Sequence, residues 1–570
     1  MKVDLLIENA LVFNIFLKRF EQQHVTVSNQ KFYYISDQDL RYLEPLEVID
    51  AQGTYMIPGL IDIHMHIESS MVPPAIFSGA ALSHGVTTVV ADCHEIANVC
   101  GMEGIEFFME QETLLDIFYA IPSSVPSTTP ELETTGGLIG VAEVQALLQH
   151  PSVIALGEAM NFKGITEESP SLIQDILQTV HRERPFLPLE GHVPRVSGET
   201  LAKFLYAGLT ADHTHQSPAS ILEKVKSGMF LEFQKKSITA ENMAVLEEHQ
   251  LYEHIALITD DVMADDLLTG HLNENMRLAI QAGMPIEEAI YTSTYTPARR
   301  MNFQDRGAIV AGYKADFLLL DDLETLSIAS VYKNGYRVHQ RGEEMAYPSV
   351  DLSIPEPFLN SVHCKLLTEA DLRIPVSTHQ EAVLCNVIQI HPIGTFTKLV
   401  QREIPVKNGF LDFENSTCAL VVVMERYGKN GNIGYGLVEQ AIDQKGSIAT
   451  TWAHDHHNLM VMGTSITDML AAQAEVIRLK GGYVVFQEGQ QTGCCPLPLG
   501  GILSTEPISL LGEQLKGVRQ AMQALGYRNT NEIMSFSTLS LPVSPQVKIT
   551  DFGMMDVHTH TKIPLLAGES

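Results

Sequence analysis

Apolar and polar positions alternate roughly along the first 55 residues, in "DLLIENALVF" (4–13), "HVTVSNQKFYYIS" (24–36) and "LEVIDAQGTYMIPG" (46–59). A period of two with turn residues between the runs predicts short strands, so residues 1–55 read as part of a small β unit. From Met56 the rhythm changes. Short β-branched runs are each followed by a stretch of helical periodicity: "GVTTVVADCHE" by "GMEGIEFFMEQETLL", "SVIALGEAMN" by "SLIQDILQTVHRE", and "PFLPLEGHVP" by "GETLAKFLYAG". The same order returns in "LTADHTH" with "SILEKVKSG", "MFLEFQKKS" with "ENMAVLEEHQ", and "IALITDD" with "NENMRLAIQAG". Strand–helix alternation over residues 56–305 predicts a parallel α/β domain, of a length that suits a (β/α)8 TIM-like barrel. Strand patterning returns in "RGAIVAGYKADFLLLDDLETLSIASVYKNGYRV". Residues 306–350 are therefore expected to complete the small β unit as a sandwich built from both flanks. The remainder, 351–570, reads as a separate α/β domain containing the strands "CALVVVMERYG" and "GGYVVFQEGQ" and the amphipathic helix "SITDMLAAQAEVIRLKGG".

Composition narrows the class. Asp and Glu number 69 against 37 Lys and Arg, a formal net charge of −32 in 570 residues. Such an excess, with no run of basic residues, argues against a nucleic-acid or anionic-membrane partner. The seven cysteines are irregularly spaced, which is no disulfide framework, and the N-terminus lacks an uninterrupted apolar core. A reducing cytoplasm is the expected setting, and a homo-oligomer, by first choice a homodimer, the expected assembly.

In an α/β barrel, functional side chains stand where strands end and βα loops begin. The ionisable residues at those places are His64 and His66; Asp92, His94 and Glu95; Glu158; His192; His213 and His215; Asp260 and Asp261. His64 and His66 are two residues apart, so in a strand their side chains share one face. Histidines with one or two carboxylates are ligand types that suit Zn, Fe or Mn. One strand-end histidine is more often a structural or surface residue. A set of six is harder to explain that way.

"PGLIDIHMHIESS", "GVTTVVADCHEIANV", "ALITDD" and "GAIVAGYKADFLLLDD" resemble the amidohydrolase superfamily of metal-dependent hydrolases. The longer forms "HMHIESSM" and "CHEIANV", with "GHVP" and the later "AHDHHN", look like its bacterial adenine deaminase branch, over essentially the whole chain. The resemblance implies that adenine is hydrolysed to hypoxanthine and ammonia in purine salvage. It implies two divalent ions, manganese or iron by first choice and zinc as a third, with His64 and His66 on one and His192 and His213 on the other. Glu158 would bridge them, and Asp260 would contact a metal and move protons. His215 competes with His213 as ligand; position after "AGLTAD" favours His213.

Deamination also needs an acid for the purine ring, and Glu95, Glu68 and His94 are the candidates, with Glu95 the first choice. Ser69 either contacts substrate or caps a helix, as does Ser70. Asp261, His454 and His457 are further candidates for the site; His454, Asp455, His456 and His457 otherwise form a polar loop before the strand-like "NLMVMG". Cys93 and Cys100 read as buried small residues, and His558 and His560 as decoration. The H-x-E with P-C-x-x-C pattern of the other zinc deaminases is missing, since no C-x-x-C occurs anywhere. The rival readings are another cyclic-amide or aminopurine amidohydrolase, or a relative that keeps the fold for interaction only.

Overall fold

The computed structural model describes residues 2–167, 169–343, 352–377 and 380–568. At its centre are parallel strands β1 (Leu60–Met65), β2 (Val86–Asp92), β3 (Asp116–Ile121), β4 (Val153–Ala159) and β5 (Leu189–Gly191) in one sheet. A second parallel sheet holds β6 (Ala211–Asp212), β7 (Phe230–Phe233) and β8 (Ile255–Leu257). The two join at both edges. Thr210 N–H donates to the Leu189 carbonyl at 3.3 Å, and beyond β8 Asp260 N–H donates to the His64 carbonyl at 3.1 Å. The result is a curled, TIM-like parallel barrel of eight strands, as the alternation of runs predicts. β2 reads Val-Thr-Thr-Val-Val-Ala-Asp and is buried throughout, as a strand covered on both faces must be.

The small β unit differs from expectation in two respects. Among the described residues it is one eight-stranded sheet rather than a two-sheet sandwich, with strand Val3–Asn14 inside it and Phe317–Asp322 contributed from beyond the barrel. It rolls up because Phe32 N–H reaches the Tyr313 carbonyl and Ala315 N–H the Gln30 carbonyl, both at 2.9 Å. One sheet whose inner side chains meet (Leu5, Val25, Phe32, Phe317) needs no second layer. The sheet also extends further than residue 55. Tyr55–Pro58 pairs antiparallel with Phe317–Asp322, so Met56 and Ile57 belong to it and the barrel begins at Leu60. The expected boundary at 350/351 lies outside the described residues.

The C-terminal region carries a nine-stranded mixed sheet, helices Ile466–Leu479 and Ile508–Ala524, and a three-stranded sheet over Val547–Lys562. It is less separate from the barrel than its sequence suggests. Ile96, Val99 and Phe107 share one apolar core with Phe358, Trp452, Leu499 and Ile502. Phe107 and Phe358 meet edge to face at 5.4 Å, and Arg519 bonds Asp265 at 2.6 Å. Residues 391–396 and 534–545 lie over the C-terminal mouth of the barrel and help line its cavity.

Candidate active site

β1 delivers His64 and His66 to the barrel interior, both buried. Their ring centroids are 5.4 Å apart and the rings stand nearly perpendicular. The neighbouring strand end does unusual work. Asp260 adopts a left-handed backbone, φ 63°, which a non-glycine residue takes only where its surroundings insist. That turn lets Asp260 receive the His66 N–H on its carbonyl at 3.2 Å while its own N–H holds His64. Backbone closure of the barrel and placement of the Asp260 carboxylate, 3.4 Å from His66 Nε2, are thus one event.

Glu158 occupies the centre. Its Oε1 lies 3.4 Å from His66 Nε2, and its Oε2 lies 2.7 Å from His192 Nδ1 and 3.2 Å from His213 Nε2. Each carboxylate oxygen faces a different histidine group. Ligand-type atoms of His64, His66 and Glu158 converge within 4.8 Å, as do those of Glu158, His192 and His213. The backbone beneath Glu158 is fixed by Asp92, whose Oδ2 accepts the Glu158 N–H at 2.9 Å. Gly157 makes room for this, because a Cβ there would sit 2.1 Å from Asp92 Oδ2.

His213 is buried in the cluster while His215 is exposed at the rim, and a two-residue step along the chain separates the two fates. His64 stacks on His213 with centroids 4.0 Å apart. The buried Nε2 of His64 and Nδ1 of His213 have no hydrogen-bond partner. Unpartnered imidazole nitrogens beside shared carboxylates form a donor set that fits divalent metal ions.

Charge follows from this crowding. Burial opposes ionisation of Glu158, but His213 and His192 outweigh it and hold the carboxyl well below its usual range. Asp260 is likewise penalised by burial, and its bond to His66 with the charge of His213 pulls it below the normal value. His213, penalised by burial but favoured by Glu158, rises to about 9.

The second wall of the cavity is the C-terminal region. Glu95 opens the helix that follows β2, and its Oε1 meets His454 Nδ1 at 2.6 Å while its Oε2 meets His457 Nε2. Burial opposes the Glu95 charge, yet those two histidines hold it well below the usual range. His94 stands between Asp92 (3.5 Å) and Glu95 (3.4 Å). A cavity of about 470 Å³ is lined by His66, His94, Glu95, Glu158, His192, Asp260, Asp261, His454 and Asp455 on its polar side. Ile393, Phe396, Met534 and Leu541 form its apolar side.

Several expected residues stand elsewhere. Glu68 does not line the cavity; its Oε1 accepts the Ile96 N–H at 3.0 Å, and burial raises its pKa to about 7. Ser69 is also outside the lining and donates to Asp261 at 2.5 Å, and Ser70 donates to the Ile67 carbonyl. His457 reaches the cavity only through Glu95. The expected helix at 101–115 starts earlier, at His94, with a kink at Gly101, which places His94 and Glu95 in its first turn. Cys93 is buried, and burial pushes its thiol well up. Missed from sequence were Glu232, the rim cations Arg195 and Lys236, and the wall from 391–396 and 534–545. Only "FLEF", a charge inside an apolar strand, offered a signal, and it pointed to Glu232.

A parallel barrel with histidines and carboxylates at its strand ends is the architecture of a metal-dependent amidohydrolase, and the amidohydrolase family profile matches residues 55–338. The adenine deaminase C-terminal domain matches residues 394–561. The chain is 49% identical to an adenine deaminase 2 of Oenococcus oeni over 100% of both chains, and 51% identical to an adenine deaminase of Clostridium perfringens over 98% of both. A crystal structure of an adenine deaminase aligns with 60% of this chain and 100% of its own at 16% identity, TM-score 0.44. The chain belongs to the adenine deaminase family.

Proposed function

We propose that this protein hydrolyses adenine to hypoxanthine and ammonia at a binuclear site formed by His64, His66, Glu158, His192, His213 and Asp260. The observation that carries the reading is the split of Glu158, one oxygen toward His66 and the other toward His192 and His213. A carboxylate so placed is suited to bridging two ions. His64 and His66 would hold one, His192 and His213 the other, manganese or iron by first choice. Divalent ions held by these residues would supply an activated water and stabilisation of the charge that develops on attack at an electron-poor carbon.

The chain's own groups supply the rest. Adenine is flat and largely apolar on its faces, and the Ile393, Phe396 and Met534 wall suits it, while C6 is turned toward the histidines. Asp260, ionised and 3.4 Å from His66, accepts the proton of the attacking water and passes it to the departing amine. Glu95 lines the opposite side, where a ring nitrogen gains charge as aromaticity is lost; it relays a proton there from His454, which is restored when the remaining hydroxyl proton is given up as the C6 carbonyl forms. His454 is suited to this because, although burial disfavours its charge, Glu95 raises its pKa to about 10. A homodimer in the cytoplasm is the proposed state.

The test is ammonia release from adenine, adenosine, guanine and cytosine by metal-stripped protein reconstituted with manganese, iron or zinc. Metal-dependent release from adenine alone is expected. Release from another base and not from adenine would overturn the substrate.

A further inference from the structure

β7 carries a carboxylate that the reaction above does not use. Glu232 is fully buried in the barrel interior, and neither of its oxygens has a hydrogen-bond partner. A buried carboxylate without partners is costly and calls for a physical reason. Its nearest neighbour of opposite character is His64, whose Nδ1 lies 3.6 Å from Glu232 Oε2. On the other side are Glu190, buried, and Arg300, which donates from Nη2 to Glu190 Oε1 at 2.8 Å. His64, Glu232, Glu190 and Arg300 therefore run in sequence through the barrel core, away from the mouth. One guanidinium faces two carboxylates, so the group nearest His64 is left short of positive charge.

His64 has the complementary need. Its Nε2 is buried and unpartnered, and its ring is pinned against His213 by stacking. An imidazole that gives one nitrogen to a cation becomes a stronger donor at the other, and a carboxylate there fixes both tautomer and ring orientation. We infer that Glu232 is a positioning residue: with an ion bound, it accepts a hydrogen bond from His64 Nδ1–H and so directs His64 Nε2 to the ion shared with His66. The inference rests on the binuclear reading above. It differs from a structural role because it makes the affinity of one ion, rather than the stability of the barrel, depend on Glu232.

Two other readings of Glu232 are open to test. Ligand-type atoms of His64, His213 and Glu232 also lie within 4.8 Å of one another, so Glu232 could itself hold an ion. Alternatively it is a carboxyl that burial and Glu190 hold toward its neutral form, without bearing on the ions. The experiment uses the full chain, stripped of metal and titrated with Mn²⁺ against a chelator of known affinity, for the wild type, Glu232→Leu and Glu232→Gln. Melting of each apo-protein is measured alongside.

In Glu232→Leu the weaker of two Mn²⁺ equivalents is expected to lose about 10- to 100-fold in affinity, with turnover recovered by excess Mn²⁺. Glu232→Gln keeps an acceptor without the charge, and should lose less affinity than the leucine variant; where that variant fails to fold, a weakened second equivalent in Glu232→Gln relative to the wild type carries the test. Apo-protein melting should not fall in Glu232→Gln. Unchanged affinity for both ions in a folded variant overturns the inference. So does permanent loss of one equivalent that excess Mn²⁺ cannot restore, which would make Glu232 a ligand. A wild type that never binds two equivalents refutes the binuclear reading beneath it, a result separate from either of these.

Discussion

Gly157 shows how tightly single residues are tied to the chemistry. A methyl group there would stand 2.1 Å from Asp92 Oδ2, the atom that holds the Glu158 N–H. Gly157→Ala is therefore expected to displace the central carboxylate and to destabilise the fold by about 1–3 kcal/mol, the usual cost of overpacking. Denaturant unfolding and metal content read the two effects. Asp260→Asn keeps the shape and the backbone closure but cannot accept a proton. Its kcat should fall by about 10²–10⁴, the range for a lost general base, with an unchanged circular dichroism spectrum. Near-normal turnover would remove Asp260 from the mechanism. At this scale much was legible. Histidines and carboxylates after short apolar runs could be picked out because strands end where loops begin. Glu68 could not be distinguished from Glu95, since each follows a histidine by one or two residues and only the structure shows Glu68 buried against the Ile96 N–H while Glu95 faces the cavity.

The loop over residues 391–396, between strands Ala382–Ile390 and Thr397–Lys407, places Ile393 and Phe396 over the barrel mouth. Phe396 packs against the Arg195 guanidinium, 4.5 Å from ring centroid to carbon, so a barrel loop and a C-terminal hairpin fasten each other. Phe396→Ala removes apolar surface from the cavity wall but no group that moves a proton. It should raise KM for adenine several-fold and leave kcat nearly unchanged, as steady-state kinetics will show. The same loop is tied from behind by Lys548, fully buried, whose Nζ donates to the Thr395 carbonyl at 2.8 Å. Burial lowers the Lys548 pKa from 10.5 to about 7. Between those values the unfolded chain binds a proton that the folded chain does not, so this group makes stability rise with pH across that window. Relative to Lys548→Met, the wild type should gain stability between pH 7 and 9 in chemical denaturation. Equal slopes would show that the amine is charged in place.

For the whole molecule, the C-terminal region completes the barrel. Its side chains share the core of the helix that starts at His94, and its histidines hold Glu95. A chain ending at residue 343 is expected to expose that core, to aggregate and to release no ammonia from adenine; a soluble, active fragment would refute this dependence. The sequence by itself determined a small β unit built from both flanks, the strand–helix alternation and the family's ordered motifs, because those follow from local period and residue type; that the β unit is one rolled sheet was left to the structure. Position after "AGLTAD" already favours His213 over His215, and the end of β6 turns it inward. Tertiary structure alone decided the rest. Residues 391–396 and 534–545 reach a site whose strands lie more than a hundred positions away, and no local pattern encodes that. Glu232 carries a charge inside an apolar strand, which sequence shows as an anomaly and only packing against His64 explains.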